Sequence, residues 1–196
     1  MNQGILHRCF YAVQFGSEVT AYIASAIERL KRHRADVRWV PLRNIHLTLR
    51  FLGEITGEQL GMAKSVGSGS LPLRTISLRA SGFGAFPLLR APRVIWAGVE
   101  GESPEDRERL LHIQGRTEEW ARGLGLPPEN RRYAPHITLG RVARPSEGLK
   151  ELTDAIIREE CISPCTRIGA IVLMRSTLSR TGPEYEVLRR WELGGS

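Results

Sequence analysis

The chain has 196 residues, 41% of them hydrophobic and 25% charged, a balance that excludes disordered and fibrous classes and provides for one sizeable domain. Its longest apolar runs, such as residues 169–174, are too short to cross a bilayer, and residues 1–8 lack the basic, apolar and cleavage regions of a signal peptide, so a cytoplasmic location is expected. Net charge is +7 from 28 basic and 21 acidic residues; all the basic ones except Lys31, Lys64 and Lys150 are arginines, which suit planar recognition of phosphate, although composition alone permits an anionic partner without requiring one.

Residues 8–15 are aromatic and β-branched enough for a strand. A helix follows Ser17, with Val19, Tyr22, Ile23, Ala26, Ile27 and Leu30 recurring at three- and four-residue steps. Residues 44–52 read as a strand, Thr56 and Gln59 as a capping box opening a short helix with Leu60 and Ala63, and residues 73–83 as another strand. A Gly/Pro-rich stretch through Pro92 comes next.

The same order then recurs. Residues 94–99 form a strand; Ser103-Pro104-Glu105-Asp106 supplies an N-cap, a first-turn proline and early acids for a helix bearing Leu110, Ile113, Trp120 and Leu124. Residues 136–142 are a strand, Ser146 caps a helix with Leu149, Leu152, Ile156 and Ile157, and residues 167–175 are a strand. This predicts a single domain over residues 1–196, made of two halves, about 5–86 and 93–176, with a terminal strand near 184–193. Two α+β lobes related by a pseudo-two-fold axis would enclose a cleft.

The corresponding strands carry the chemistry. One reads His46-Leu47-Thr48-Leu49-Arg50-Phe51-Leu52-Gly53 and the other His136-Ile137-Thr138-Leu139-Gly140-Arg141. With 10 Thr and 23 Leu in the chain, finding His-x-Thr-Leu at two of five histidines has a chance on the order of 10⁻⁴ to 10⁻³ in random order. On a strand, residues two apart share a face, so each His projects with its Thr while the intervening leucines and isoleucine face a core; on a helix the pair would be separated by roughly 200°. Two imidazoles flanking a phosphate suit acid–base hydrolysis, one neutral and accepting a proton, the other cationic and donating one, with Thr and Arg holding the non-bridging oxygens. No HExxH, EF-hand or Walker lysine motif is present, and Cys9, Cys161 and Cys165 lack zinc-site spacing, so no metal is expected and the thiols read as reduced and mostly buried.

These motifs resemble those of the 2H phosphoesterase superfamily, specifically the RNA 2′,3′-cyclic phosphodiesterases also called 2′-5′ RNA ligases. The resemblance extends over nearly the whole chain, through Arg8-x-Phe10-x-Ala12-Val13, Trp39-Val40-Pro41, Pro92–Gly98 and Leu178-x-x-x-Gly182-Pro183-x-Tyr185. It implies an α+β bilobal fold of duplicated antiparallel sheets, with helices on the outer faces and a central cleft. It also implies hydrolysis of a terminal 2′,3′-cyclic phosphate to a 2′-phosphate, with ATP-independent 2′-5′ ligation as the related joining reaction.

By position, His46 would be the proton donor to O3′, His136 the proton acceptor, Thr48 and Thr138 phosphate-binding hydroxyls, and Arg141 a phosphate contact. A regular strand would turn Arg141 away from His136, so a bulge or bend near Gly140 would have to re-aim it. Phe51 and Tyr133 are candidates to stack on the terminal base. Arg131, Arg132, His7, His33 and His112 read as surface or structural. The partner expected is RNA or an oligonucleotide with a cyclic phosphate end, engaged by a monomer without metal, cofactor or membrane. A related phosphodiesterase acting on another cyclic or 2′-5′-linked nucleotide, and a non-catalytic RNA-binding module, are the alternatives.

Overall fold

A computed structural model of the chain describes residues 5–67, 71–179 and 182–194, and the side chains of all of these except 71–73. In chain order the elements are β1 (His7–Gln14), α1 (Ser17–Lys31), β2 (Val37–Trp39), a 3₁₀ turn (Leu42–Asn44), β3 (His46–Ile55), α2 (Gly57–Ser65), β4 (Leu71–Arg74), β5 (Ile76–Leu88) and β6 (Ala91–Gly101). They continue with α3 (Pro104–Gly123), β7 (His136–Val142), α4 (Leu149–Arg158), β8 (Thr166–Ile168), β9 (Ala170–Ser179) and β10 (Gly182–Gly194).

The strands lie in the order β4-β10-β9-β1-β3-β7-β6-β5-β8, with β2 added beside β7. Every pairing is antiparallel except that of β4 with β10. The last long strand of each sequence half crosses to the other lobe: β9 pairs with β1, and β5 pairs with β6. The two lobes meet where β3 and β7 run side by side, and among the described residues their only ladder pair is Leu47 with Ile137. Beyond it β2 takes over, pairing Val37, Arg38 and Trp39 with Val142, Arg141 and Gly140.

The alternation along the strands assigns the two faces. Tyr11 and Val13 of β1, Leu47 and Leu49 of β3, Ile137 and Leu139 of β7, and Ile95 and Ala97 of β6 are buried in one large core. The helices close this core from outside with Ile23, Ile27 and Leu30 of α1, Leu110, Ile113 and Trp120 of α3, and Leu152 and Ile156 of α4. Each buried aliphatic side chain contributes about 1.5–3 kcal/mol, so this face dominates stability. The concave face holds a smaller cluster of Phe10, Ala12, Val172 and Met174, with Tyr185 against it.

Local signals work where they are strongest. Thr56 accepts from the Gln59 amide N–H while Gln59 accepts from the Thr56 N–H, completing the capping box, and Ser103 accepts from the Asp106 N–H at the start of α3. Several expectations are corrected. The Gly/Pro-rich stretch, read without an element, forms the ends of two long strands, β5 and β6, paired as far as Leu88 and Ala91. Gly84 belongs there because the Trp96 indole lies where a Cβ would project. The segment 167–175 is two strands that separate at Gly169, β8 joining β5 and β9 joining β1, and the strand expected over 73–83 is likewise divided at Thr75. The three-residue β2 is too short to show a period.

Ser146 is not the cap of α4. That position is Gly148, and the Ser146 hydroxyl instead accepts from the Asp36 N–H at 2.9 Å. Gly148 sits against the turn that follows α1: a Cβ there would collide with the His33 carbonyl oxygen and approach the Ala35 nitrogen at 2.9 Å. Gly148→Ala is therefore expected to lower stability by about 1–3 kcal/mol through backbone overpacking, read as a lower Tm. Because the turn lies outside the cleft, kcat/KM measured well below Tm should be unchanged.

Candidate active site

Leu47 opposite Ile137 places the two His-x-Thr motifs antiparallel on either side of the seam. By that register His46 faces Thr138 and Thr48 faces His136, all four projecting from the concave face because Leu47 and Ile137 are buried on the other. The imidazoles are close enough that the charge of His136 acts on His46.

Both imidazoles are fixed in the same way. His46 Nδ1–H donates to the Asn44 carbonyl two residues back at 2.6 Å, and His136 Nδ1–H donates to the Ala134 carbonyl at 2.7 Å. Each bond selects the tautomer that leaves Nε2 as the working nitrogen. His46 Nε2 lies 3.0 Å from Thr48 Oγ1 and, in that tautomer, accepts from the hydroxyl. Aromatic rings surround both. Phe10 and Tyr185 stand 4.9 and 5.2 Å from the His46 ring centre, and Phe86 and Trp96 stand 5.0 and 6.4 Å from that of His136. The Trp96 Nε1–H is buried without a protein acceptor among the described residues.

Burial among these rings disfavours the charged imidazolium and holds both histidines below their ordinary value of 6.5. Opposing it, the carbonyl bond from Asn44 raises His46 and that from Ala134 raises His136; the His136 charge further lowers His46, and the Arg141 charge further lowers His136.

Arg141 shares the cleft with His136 because of a bulge. Trp96 pairs with Thr138 and Ile95 with Gly140, leaving Leu139 as an extra residue of β7. After it Gly140 is buried and Arg141 turns to the exposed face, where it also acts on the Tyr185 hydroxyl. Gly140 tolerates the inward position because it has no side chain: a Cβ would lie 2.5 Å from Val37 Cγ1. The first motif carries the same bulge one residue after its Thr. Tyr11 pairs with Arg50 and Ala12 with Thr48, leaving Leu49 extra. Arg50 is thereby driven inward, and Phe51 takes the place that Arg141 occupies in the other lobe, 52% exposed and 5.9 Å from Phe10.

No sequence pattern singles out Arg50, yet it is 9% exposed and ion-paired to Glu118 at 2.5 Å. It also donates to the carbonyls of Phe51 and Pro127 at 2.7 and 2.5 Å, tying β3 to the loop that leads into His136. Tyr133, in that loop, does not suit base stacking. Its ring packs against the main core and its hydroxyl donates to the Thr48 carbonyl at 3.2 Å, so it braces the seam. Arg131 is occupied by Glu129 on the surface. Asn44, 3% exposed, joins the site through its backbone, while its side-chain amide donates to the Pro183 carbonyl of β10 at 2.7 Å.

No group of three or more His, Cys, Asp or Glu side chains among the described residues is placed to hold a metal ion. The three cysteines are free, and burial pushes the thiols of Cys9 and Cys161 up to about 11, away from nucleophilic use. No helix among the described residues is long and apolar enough to cross a membrane. What the cleft offers is two imidazoles held toward their neutral form, two hydroxyls and an arginine converging from adjacent strands, a set suited to moving protons around a bound oxyanion.

The lowered imidazole values have a thermodynamic consequence. Below pH 6.5 the unfolded chain takes up protons that the folded chain refuses until lower pH, so acid favours unfolding. Stability is expected to fall as pH drops through 6.5 and to level off above it. His46→Asn should flatten that dependence, measured as Tm against pH from 5 to 8.

The model of the LigT-like phosphoesterase family matches residues 15–96 and 102–185. A protein from Thermotoga maritima named RNA 2′,3′-cyclic phosphodiesterase is 30% identical over 96% of both chains. One of the same name from Methanothermobacter thermautotrophicus is 32% identical over 91% of this chain and 94% of its own. A crystal structure from Thermus thermophilus superposes with a TM-score of 0.76 at 28% identity, covering 96% of this chain and 99% of the other, and apo LigT of E. coli shares the fold with a TM-score of 0.73 at 24% identity over 96% and 98%. The duplicated motif on its bulged strands and the extent of these matches agree: the chain belongs to the LigT-like phosphoesterase family, within the 2H phosphoesterases.

Proposed function

We propose that the protein hydrolyses the 2′,3′-cyclic phosphate at the end of an RNA, leaving a 2′-phosphate. The observation that carries this reading is the matched anchoring of His46 and His136, each with Nδ1–H on the carbonyl two residues before it, which leaves each Nε2 as a proton acceptor, that of His46 beside the Thr48 hydroxyl. The names of the relatives from Thermotoga and Methanothermobacter supply the substrate class.

In this mechanism a water oxygen attacks phosphorus and gives a proton to His136 Nε2. The P–O3′ bond breaks, and the departing O3′ takes a proton from His46 Nε2. Thr48 and Thr138 donate to the non-bridging oxygens, and the Arg141 guanidinium offsets charge that grows on them. His46 ends neutral and His136 ends protonated; solvent resets both.

The resting electrostatics bear on how many protons the pair carries, not on which ring holds one. Burial disfavours the charged form of both imidazoles, the anionic substrate promotes uptake of a proton, and repulsion between the two rings opposes a second. When a 5′-hydroxyl replaces the attacking water, the same steps yield a 2′-5′ linkage without ATP, because the strained cyclic phosphate is itself the activated donor. Phe51, exposed and backed by the buried Phe10 ring, offers a ring surface beside the site for the terminal base.

The test is incubation with an oligoribonucleotide bearing a 2′,3′-cyclic phosphate, in EDTA, with the product mapped. A 2′-phosphate is expected. A 3′-phosphate would reverse the leaving-group assignment, and binding without turnover would favour a non-catalytic module. Replacing either His46 or His136 by Ala is expected to cut kcat by about 10²–10⁴-fold, with a smaller loss for Thr48→Val or Thr138→Val.

A further inference from the structure

The edge strand β2 holds a feature that the two-histidine chemistry does not use. Arg38 is the ladder partner of Arg141. Residues opposite each other on antiparallel strands project to the same side with Cβ atoms about 4.5–5.5 Å apart, and like charges there destabilise the sheet. Both arginines are exposed, and neither has an acidic partner among the described residues. Asp36, the acid nearest along β2, is taken by Arg144 at 3.2 Å.

Two independent observations place Arg38 on the cleft side. Its neighbours Val37 and Trp39 pack against the main core, and a Cβ on Gly140 would meet both of them, so Arg38 between them points to the opposite face. Its ladder partner Arg141 acts electrostatically on His136 and on Tyr185, both of which line the cleft. An adjacent pair of guanidiniums without acids is an arrangement that an anion completes.

We propose that Arg38, beside Arg141, forms a second anionic subsite that holds the phosphodiester on the 5′ side of the terminal nucleotide. Resting on the function proposed above, this makes the preferred substrate an oligonucleotide rather than a cyclic mononucleotide. Arg141 serves the reacting phosphate near His136, and Arg38, farther out on the edge strand, serves the next phosphate of the same strand.

The experiment compares Arg38→Ala with the unaltered protein on two substrates: adenosine 2′,3′-cyclic phosphate and a short oligoribonucleotide ending in the same group. The loss of one charge-assisted contact should reduce kcat/KM on the oligonucleotide about tenfold, mainly through KM, and leave the mononucleotide unchanged. The slope of log kcat/KM against log salt should fall by about 0.7 on the oligonucleotide alone. Relief of the like-charge pair should also raise the Tm of the ligand-free variant by about 1–4 °C. Equal losses on both substrates, or none on the oligonucleotide, would overturn the subsite. If the unaltered protein hydrolyses neither substrate, the proposed function fails instead. Oligonucleotide binding, about tenfold weaker in the variant if Arg38 holds a phosphate and unchanged if it does not, then still decides the subsite.

Discussion

The pairing of Leu47 with Ile137 is the constraint on which the rest of the molecule turns. It joins two lobes whose own strands are held by long ladders, and it sets the register between the His-x-Thr motifs. A slip of one residue would move both histidines to the buried side, because strand side chains alternate with a period of two. The seam is short, so it is reinforced from the sides. Arg50 binds Glu118 and the Pro127 carbonyl, Tyr133 binds the Thr48 carbonyl, and Val40 N–H donates to the Leu139 carbonyl where β2 replaces β3. The buried Arg50–Glu118 pair is costly to break from one side, on the order of 3–5 kcal/mol, which fixes the loop feeding His136.

The bulges at Leu49 and Leu139 solve a geometric problem posed by the motif itself. A regular strand would bury position 51 or 141 and expose position 50 or 140. One extra residue after each Thr reverses this, giving the cleft Phe51 on one side and Arg141 on the other. The inward positions are then handled differently. Gly140 leaves room for β2, whereas Arg50 fills its space with a guanidinium that is neutralised and hydrogen-bonded. The same backbone device thus serves an apolar wall in one lobe and a cation in the other.

The satellite cluster of Phe10, Ala12, Val172 and Met174 gives the concave face a dual character. It stabilises the sheet by burying apolar area, and with Tyr185 it desolvates His46, which is the main cause of that imidazole's lowered affinity for protons. Packing and proton chemistry are therefore not separable at this position: a more open cleft would bind protons more readily and lose the balance between the two rings.

Much of the candidate site was legible in the sequence because its signal is local and duplicated. His46, Thr48, His136 and Thr138 follow from a period-two pattern that appears twice, and the capping box of α2, the Ser103 cap of α3 and the helix faces follow from short-range hydrogen bonding and burial. That the strand must bulge or bend near Gly140 to bring Arg141 to the cleft also follows from strand alternation alone; the ladder register makes it a bulge. The rest depends on contacts between residues distant in the chain. Neither the exchange of β5 and β9 between lobes, the aromatic rings from β1, β6 and β10 around the histidines, the bracing role of Tyr133, nor the meeting of Arg38 with Arg141 leaves a periodic trace in the sequence. Ladder register and sheet curvature decide these, since they bring together side chains that no local preference selects.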